Sequence, residues 1–172
     1  MLSVDKIIKQ YEKAWTILDN YDKESFEIAF SKSEQELSYD FVLDAISKFK
    51  AKLLAKGKAS KLFGVERNGE LEGIIKGIYQ TFSGEPLYKS SEEKALNLMY
   101  NILKNHPFID GNKRIGAFLF LLFLEKNNAL YDEGGNIKIN QKTLALFAIL
   151  IASSDIKQKE LVIKLGLSLM EK

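Results

Sequence analysis

His106, Asp110 and Arg114 fall within the run His106-Pro107-Phe108-Ile109-Asp110-Gly111-Asn112-Lys113-Arg114. A base, a carboxylate, small residues and a guanidinium in so short a stretch are the parts that phosphoryl or nucleotidyl transfer requires. Imidazole changes charge near neutral pH, so His106, the only histidine of the chain, can take the proton of an attacking hydroxyl. Asp110 offers a hard oxygen ligand for Mg²⁺, which is usually held by one or two carboxylates together with substrate phosphates. If a helix begins at Gly111 and Asn112, its unpaired first N–H groups and the positive end of its dipole make an anion hole. Arg114 adds a planar fork that can grip phosphate oxygens in two places, and Lys113 adds a point charge beside it.

Taken singly, these residues have ordinary readings. His106 could close a helix, Asp110 and Arg114 could form an i,i+4 surface pair worth about 0.3–0.5 kcal/mol, and Phe108 reads as core. Their order, and their position between two strongly patterned helices, favour a site.

The elements that must hold this run are helical. Before it, Ser90 and Glu93 make a capping box, and Ala95, Leu98, Met99, Ile102 and Leu103 form the apolar face of a helix ending near Asn105. After it, Ile115 to Leu124 is continuously apolar; these ten residues suit a buried helix reaching about Asn127 and fall short of the roughly 20 needed to span a bilayer. Upstream, helices are expected from Ser3 to about Asp19 (face Ile7, Ile8, Tyr11, Trp15, Leu18), from a Ser33–Glu36 capping box to Gly57, and from about Glu70 to Phe82. The Asn68-Gly69-Glu70 stretch reads as an Asn-capped start of the last of these. Between it and Ser90, Gly84 and Pro86 break the helical period and allow a small hairpin or extended flap. Downstream, residues 128–140, with the Gly134-Gly135 pair, read as a connection. Two helices follow, over about 141–153 and 155–170, the second capped by Ser154. Tyr11, Trp15 and Phe41 are expected in the core.

The chain of 172 residues is 46% hydrophobic and 28% charged, enough for one sizeable core. The division expected is an N-terminal pair of helices, residues 1–65, packing on a core of residues 66–172, one all-α domain overall. A net charge of +2 gives no global reason for nucleic-acid or membrane binding. Lys48, Lys50, Lys52, Lys56, Lys58 and Lys61 read as a solvated helix face. Without cysteine there are no disulfides or thiolate zinc ligands, and MLSVDKIIKQYEK has no apolar stretch ahead of a small-residue cleavage site. A cytoplasmic location is expected.

The run from His106 to Arg114 resembles the HxFx(D/E)GNxRxxR signature of the Fic/Doc (Fido) family. The stretches IYQTFSGEPLYKSSEEKALNLMYNILKN and GAFLFLLFLEKN around it are similar to the Fic-like portion of RhuM-type bacterial proteins, so the resemblance covers roughly residues 70–170. It implies a helical Fic-like domain in which His106 is the base, Asp110 binds Mg²⁺, Gly111 and Asn112 form the anion hole, and Lys113 and Arg114 contact the phosphates of ATP. The flap, Thr81, Phe82, Ser83, Gly84, Glu85, Pro86, Leu87, Tyr88 and Lys89, would pair with an extended segment of a target protein and align its hydroxyl. Lys113 stands where most adenylyl-transferring members carry glycine, and Ala117 where they carry a second arginine. The lysine is shared with Doc-like phosphate-transferring toxins, whereas Gly111 matches the adenylyl transferases. The resemblance therefore implies AMP transfer to a protein hydroxyl, with Doc-like phosphate transfer or a non-catalytic interaction module as alternatives. Regulation is then open to a second chain, an antitoxin among the candidates.

Overall fold

The computed structural model describes residues 4–26, 32 and 35–171. In chain order the elements are α1 (Val4–Gln10), α2 (Glu12–Asp22), α3 (Tyr39–Ala55), α4 (Leu71–Gly77), β1 (Thr81–Phe82), β2 (Glu85–Pro86), α5 (Ser91–Asn105), α6 (Asn112–Lys126), α7 (Gln141–Ser153), a 3₁₀ turn (Ile156–Gln158) and α8 (Lys159–Met170). Among the described residues the fold is all-α with one two-stranded hairpin, as the sequence implies.

The centre is the pair α5 and α6. Helix α5 buries Leu96, Leu98, Met99, Ile102 and Leu103, and α6 buries Ile115, Leu119, Phe120, Phe123 and Leu124. Each such side chain contributes about 1.5–3 kcal/mol on leaving water. Gly116 lets the two helices close up, since a Cβ there would stand 2.3 Å from Leu103 Cδ1. Helices α7 and α8 pack on this pair through Phe147, Ile151, Val162 and Leu167, and α3 adds Val42 and Ile46.

Local chemistry sets the helix ends. Ser38, Ser90 and Asn140 each accept, through the side chain, from the backbone N–H three residues on, at 3.3, 3.0 and 2.9 Å. Helix α3 ends in a Schellman motif: Lys58 N–H donates to Leu53 O and Gly57 N–H to Leu54 O. In the hairpin Thr81 faces Pro86 and Phe82 faces Glu85. Ser83 and Gly84 supply the two positive φ angles, 51° and 84°, that a tight two-residue hairpin turn needs.

Several expectations need correction. The first helix breaks at Tyr11 (φ −112°, ψ 18°), and α1 and α2 bury no residue. Tyr11 is 54% exposed and Trp15 47%, so the amphipathic face read as core lies open; α2 touches only α8 to any extent. Phe41 is also exposed, its ring covered by the Lys126 ammonium at 4.5 Å. Helix α3 starts at Tyr39 under Ser38; Ser33 lies outside the described residues. The helix expected to reach Phe82 stops at Gly77, because the chain turns there into the hairpin. Its start is served by Glu66, whose Oε2 accepts from Leu71 N–H at 3.4 Å, rather than by Asn68. Asp155 caps the 3₁₀ turn by accepting from Lys157 N–H, while the Ser154 hydroxyl donates back to Ile151 O. No helix among the described residues is long and apolar enough to cross a membrane.

Candidate active site

His106 closes α5 in the left-handed conformation (φ 50°, ψ 56°), its N–H bonded to Ile102 O at 3.1 Å. That position usually takes glycine or asparagine, and a Cβ-bearing residue there costs about 1–2 kcal/mol. The conformation turns the chain away from the helix axis and leaves the imidazole exposed.

The loop that follows is locked from two sides. From below, Phe108 is fully buried, and both of its backbone groups are taken by one side chain. Phe108 N–H donates to Asn112 Oδ1 at 3.0 Å, and Asn112 Nδ2 donates to Phe108 O at 2.8 Å. From the side, residues 63–67 form a strap: Gly64 N–H donates to Asp110 O (3.0 Å), Ile109 N–H to Val65 O (2.8 Å) and Arg67 N–H to Pro107 O (2.8 Å). The strap is tethered in turn by the Tyr39 hydroxyl, which donates to Glu66 Oε1. This bond to a carboxylate is the main reason the Tyr39 hydroxyl is pushed up to about 12.

Gly111 opens α6 with φ 90°. A Cβ there would lie 2.4 and 2.5 Å from two ring carbons of Phe63. Phe63 cannot retreat, being fully buried and edge-on to Phe49 at 5.6 Å. Glycine is therefore imposed by packing as well as by conformation. This removes most of the weight that Gly111 lent to one transferred group over the other.

Asp110 and Arg114 are half-exposed and 3.9 Å apart. Asp110 Oδ2 accepts from the Ser60 hydroxyl at 2.8 Å. Arg114 donates one N–H to Lys58 O at 2.6 Å, the carbonyl presented by the Schellman end of α3, and lies 4.7 Å over the Phe63 ring. A guanidinium has five N–H donors, so most remain for a ligand.

His106, Ile109, Asp110, Gly111, Asn112, Lys113 and Arg114 together line a cleft of about 350 Å³, mouthed by the first turn of α6. A second, apolar cleft of about 330 Å³ adjoins it, sharing Lys113 and Arg114 and walled by Ala117, Leu144 and Ala148. The hairpin is not part of either cleft. Helix α5, 15 residues and roughly 22 Å long, separates the end of the hairpin from His106. Leu87 and Tyr88 instead line a cleft of about 730 Å³ between α5 and α8. Sequence reasoning missed Ser60, Phe63 and the 63–67 strap, which carry no periodicity or motif of their own.

Among the described residues no group of three or more metal-ligating side chains occurs. The donor set at the loop is the single carboxylate of Asp110, partly exposed and held by Ser60. That suits Mg²⁺ bound mainly through substrate phosphates and water, and does not suit a metal that needs a full protein cage.

A family model described as the Fic/DOC family matches residues 37–124, from the approach to α3 through the strap, hairpin and motif loop to the last turn of α6. Comparison with curated proteins and with solved structures returns no match.

Proposed function

The chain belongs to the Fic/DOC family, and on that premise we propose that it transfers AMP from ATP to a hydroxyl side chain of a target protein, with His106 as general base. The observation that carries the proposal is the convergence of His106, Asp110, Lys113 and Arg114 on one cleft at the mouth of α6. His106 takes the proton of the target hydroxyl. The oxygen then attacks the α-phosphorus, and the bond to the bridging oxygen breaks, so that pyrophosphate leaves. The charge that grows on the α-phosphate oxygens meets the unpaired N–H groups and positive dipole of the first turn of α6. Lys113 and Arg114 hold the distal phosphates. Asp110 would hold Mg²⁺, which when bound neutralises phosphate charge.

A second reading is phosphate transfer. It is supported by Lys113 in the lining of the cleft, by Ala117, which supplies no second guanidinium, and by the packing origin of Gly111. In this case the hydroxyl attacks the γ-phosphorus and ADP leaves, with the same base.

Intact-mass spectrometry of the chain with Mg²⁺, ATP and a bacterial lysate, beside His106→Ala, decides between them. A gain of AMP on a target with the wild type only supports the first reading, and a gain of phosphate the second. Transfer that survives His106→Ala would exclude His106 as the base under either.

A further inference from the structure

The cleft between α5 and α8 is about 730 Å³, roughly twice the volume of the motif cleft, and the transfer chemistry makes no use of it. Its walls are apolar, with Leu87 and Tyr88 on one side and Ile163 and Leu167 on the other. One of its buried polar atoms lacks a hydrogen-bond partner among the described residues. Asn97 is 2% exposed and gives its Nδ2–H to Glu93 O, yet its Oδ1 meets no hydrogen-bond partner among the described residues. A buried acceptor left in that state costs about 1–3 kcal/mol until a donor reaches it.

Lys159 is a cation of the lining. Its ammonium lies 5.1 Å from the Tyr100 ring and 5.9 Å from the Tyr88 ring and donates to Asn101 Oδ1 at 3.3 Å. No described carboxylate pairs with it. Burial accordingly pushes the ammonium below the usual lysine range. The acids nearby are engaged elsewhere: Glu160 pairs with Lys164 at 2.8 Å, and Glu93 accepts from Lys89 N–H at 2.9 Å. The cleft thus offers an apolar slot, one free acceptor and one cation without a carboxylate.

Resting on the transfer reading above, we propose that this cleft docks a segment of the target protein, seating an acidic side chain on Lys159, a backbone N–H on Asn97 Oδ1 and a neighbouring apolar side chain between Leu87 and Leu167. The hairpin delivers the segment, since Leu87 and Tyr88 follow directly on β2. Glu93, Asn97 and Asn101, four residues apart, share one face of α5, and this face leads toward His106. From Asn97 to His106 is about 14 Å of helical rise, which an extended chain covers in about four residues. The residue whose N–H meets Asn97 therefore lies about four residues from the modified hydroxyl.

The test reads binding and not turnover, so its failure and the failure of the transfer reading are separable. The full chain is titrated, without nucleotide, with N-acetyl-Leu-Glu-amide and with N-acetyl-Leu-Gln-amide, and amide NMR shifts are followed. The Glu probe is expected to shift residues 87–88, 93–101 and 159–167. Lys159→Gln should weaken the Glu probe about tenfold and leave the Gln probe unchanged, Lys159→Arg should retain Glu binding, and Asn97→Leu should weaken both probes. Equal affinity for the two probes, shifts centred on the motif loop, or Glu binding indifferent to Lys159→Gln would overturn the proposal.

Discussion

The motif loop, residues 107–110, and the hairpin, residues 81–86, are both short and non-helical, and they flank the same helix, α5. The loop is held from two sides: Phe108 is buried, Asn112 closes its backbone, and the 63–67 strap adds three more hydrogen bonds. The hairpin is held by its own pairing and one further bond, Leu87 N–H to Gln80 O. All four of its strand residues are exposed, Phe82 at 78%. Groups meant to meet reacting atoms gain from being fixed in advance, because reorganisation at the moment of reaction raises the barrier. An exposed strand edge left unpaired stays open to pairing with another chain.

The contrast can be broken first at the base. His106→Ala should lower transfer by about 10²–10⁴-fold while unfolding free energy moves by no more than about 0.5 kcal/mol; parallel activity assays and urea titrations check both halves. Rigidity of the loop comes next. Gly111→Ala should destabilise by about 2–4 kcal/mol, from positive φ and overlap with Phe63 together, and Phe63→Leu in the same chain should recover part of that loss. A Gly111→Ala chain as stable as the wild type would remove the Phe63 constraint. Asn112→Ala strands two buried backbone groups and should cost about 2–3 kcal/mol, read from the denaturation midpoint. At the hairpin the pattern reverses. Phe82→Ser should leave stability within about 0.5 kcal/mol and raise KM for the target with nucleotide binding unchanged.

The smallest effect is alkaline. Tyr39 and Tyr79 are both pushed up to about 12, Tyr39 by its bond to Glu66 and Tyr79 by burial. A folded value above the unfolded one of 10 means that their contribution is whole below pH 10 and is lost between about pH 10 and 12. Phenolate absorbance should show a late-titrating set of tyrosines, and Tyr39→Phe should remove one member.

What the sequence revealed follows from what is local. The nine motif residues are contiguous, so their chemistry could be read without the fold. Helices α5 to α7 announced themselves through the Ser90–Glu93 capping box and unbroken apolar faces, and the hairpin through Gly84 and Pro86. The strap was illegible because its bonds to Pro107, Ile109 and Asp110 are backbone pairings across some forty residues, which leave no side-chain pattern. The face Ile8, Tyr11, Trp15, Leu18 was misread for the opposite reason: an apolar stripe says that a helix has a side to cover and nothing about what covers it. The cap of α3 was misplaced because Ser33 with Glu36 makes a capping box, whereas Ser38, followed by Phe41 at that position, caps through its hydroxyl alone.

The Phe63–Gly111 contact also limits the routes by which such a chain can change. With Phe63 in place, a single replacement of Gly111 by alanine lands on a destabilised protein. A shorter residue at position 63 has to come first, and only then is the motif's sixth position free to vary. Two positions nearly fifty residues apart therefore form one heritable unit, and the order of substitution matters as much as their identity.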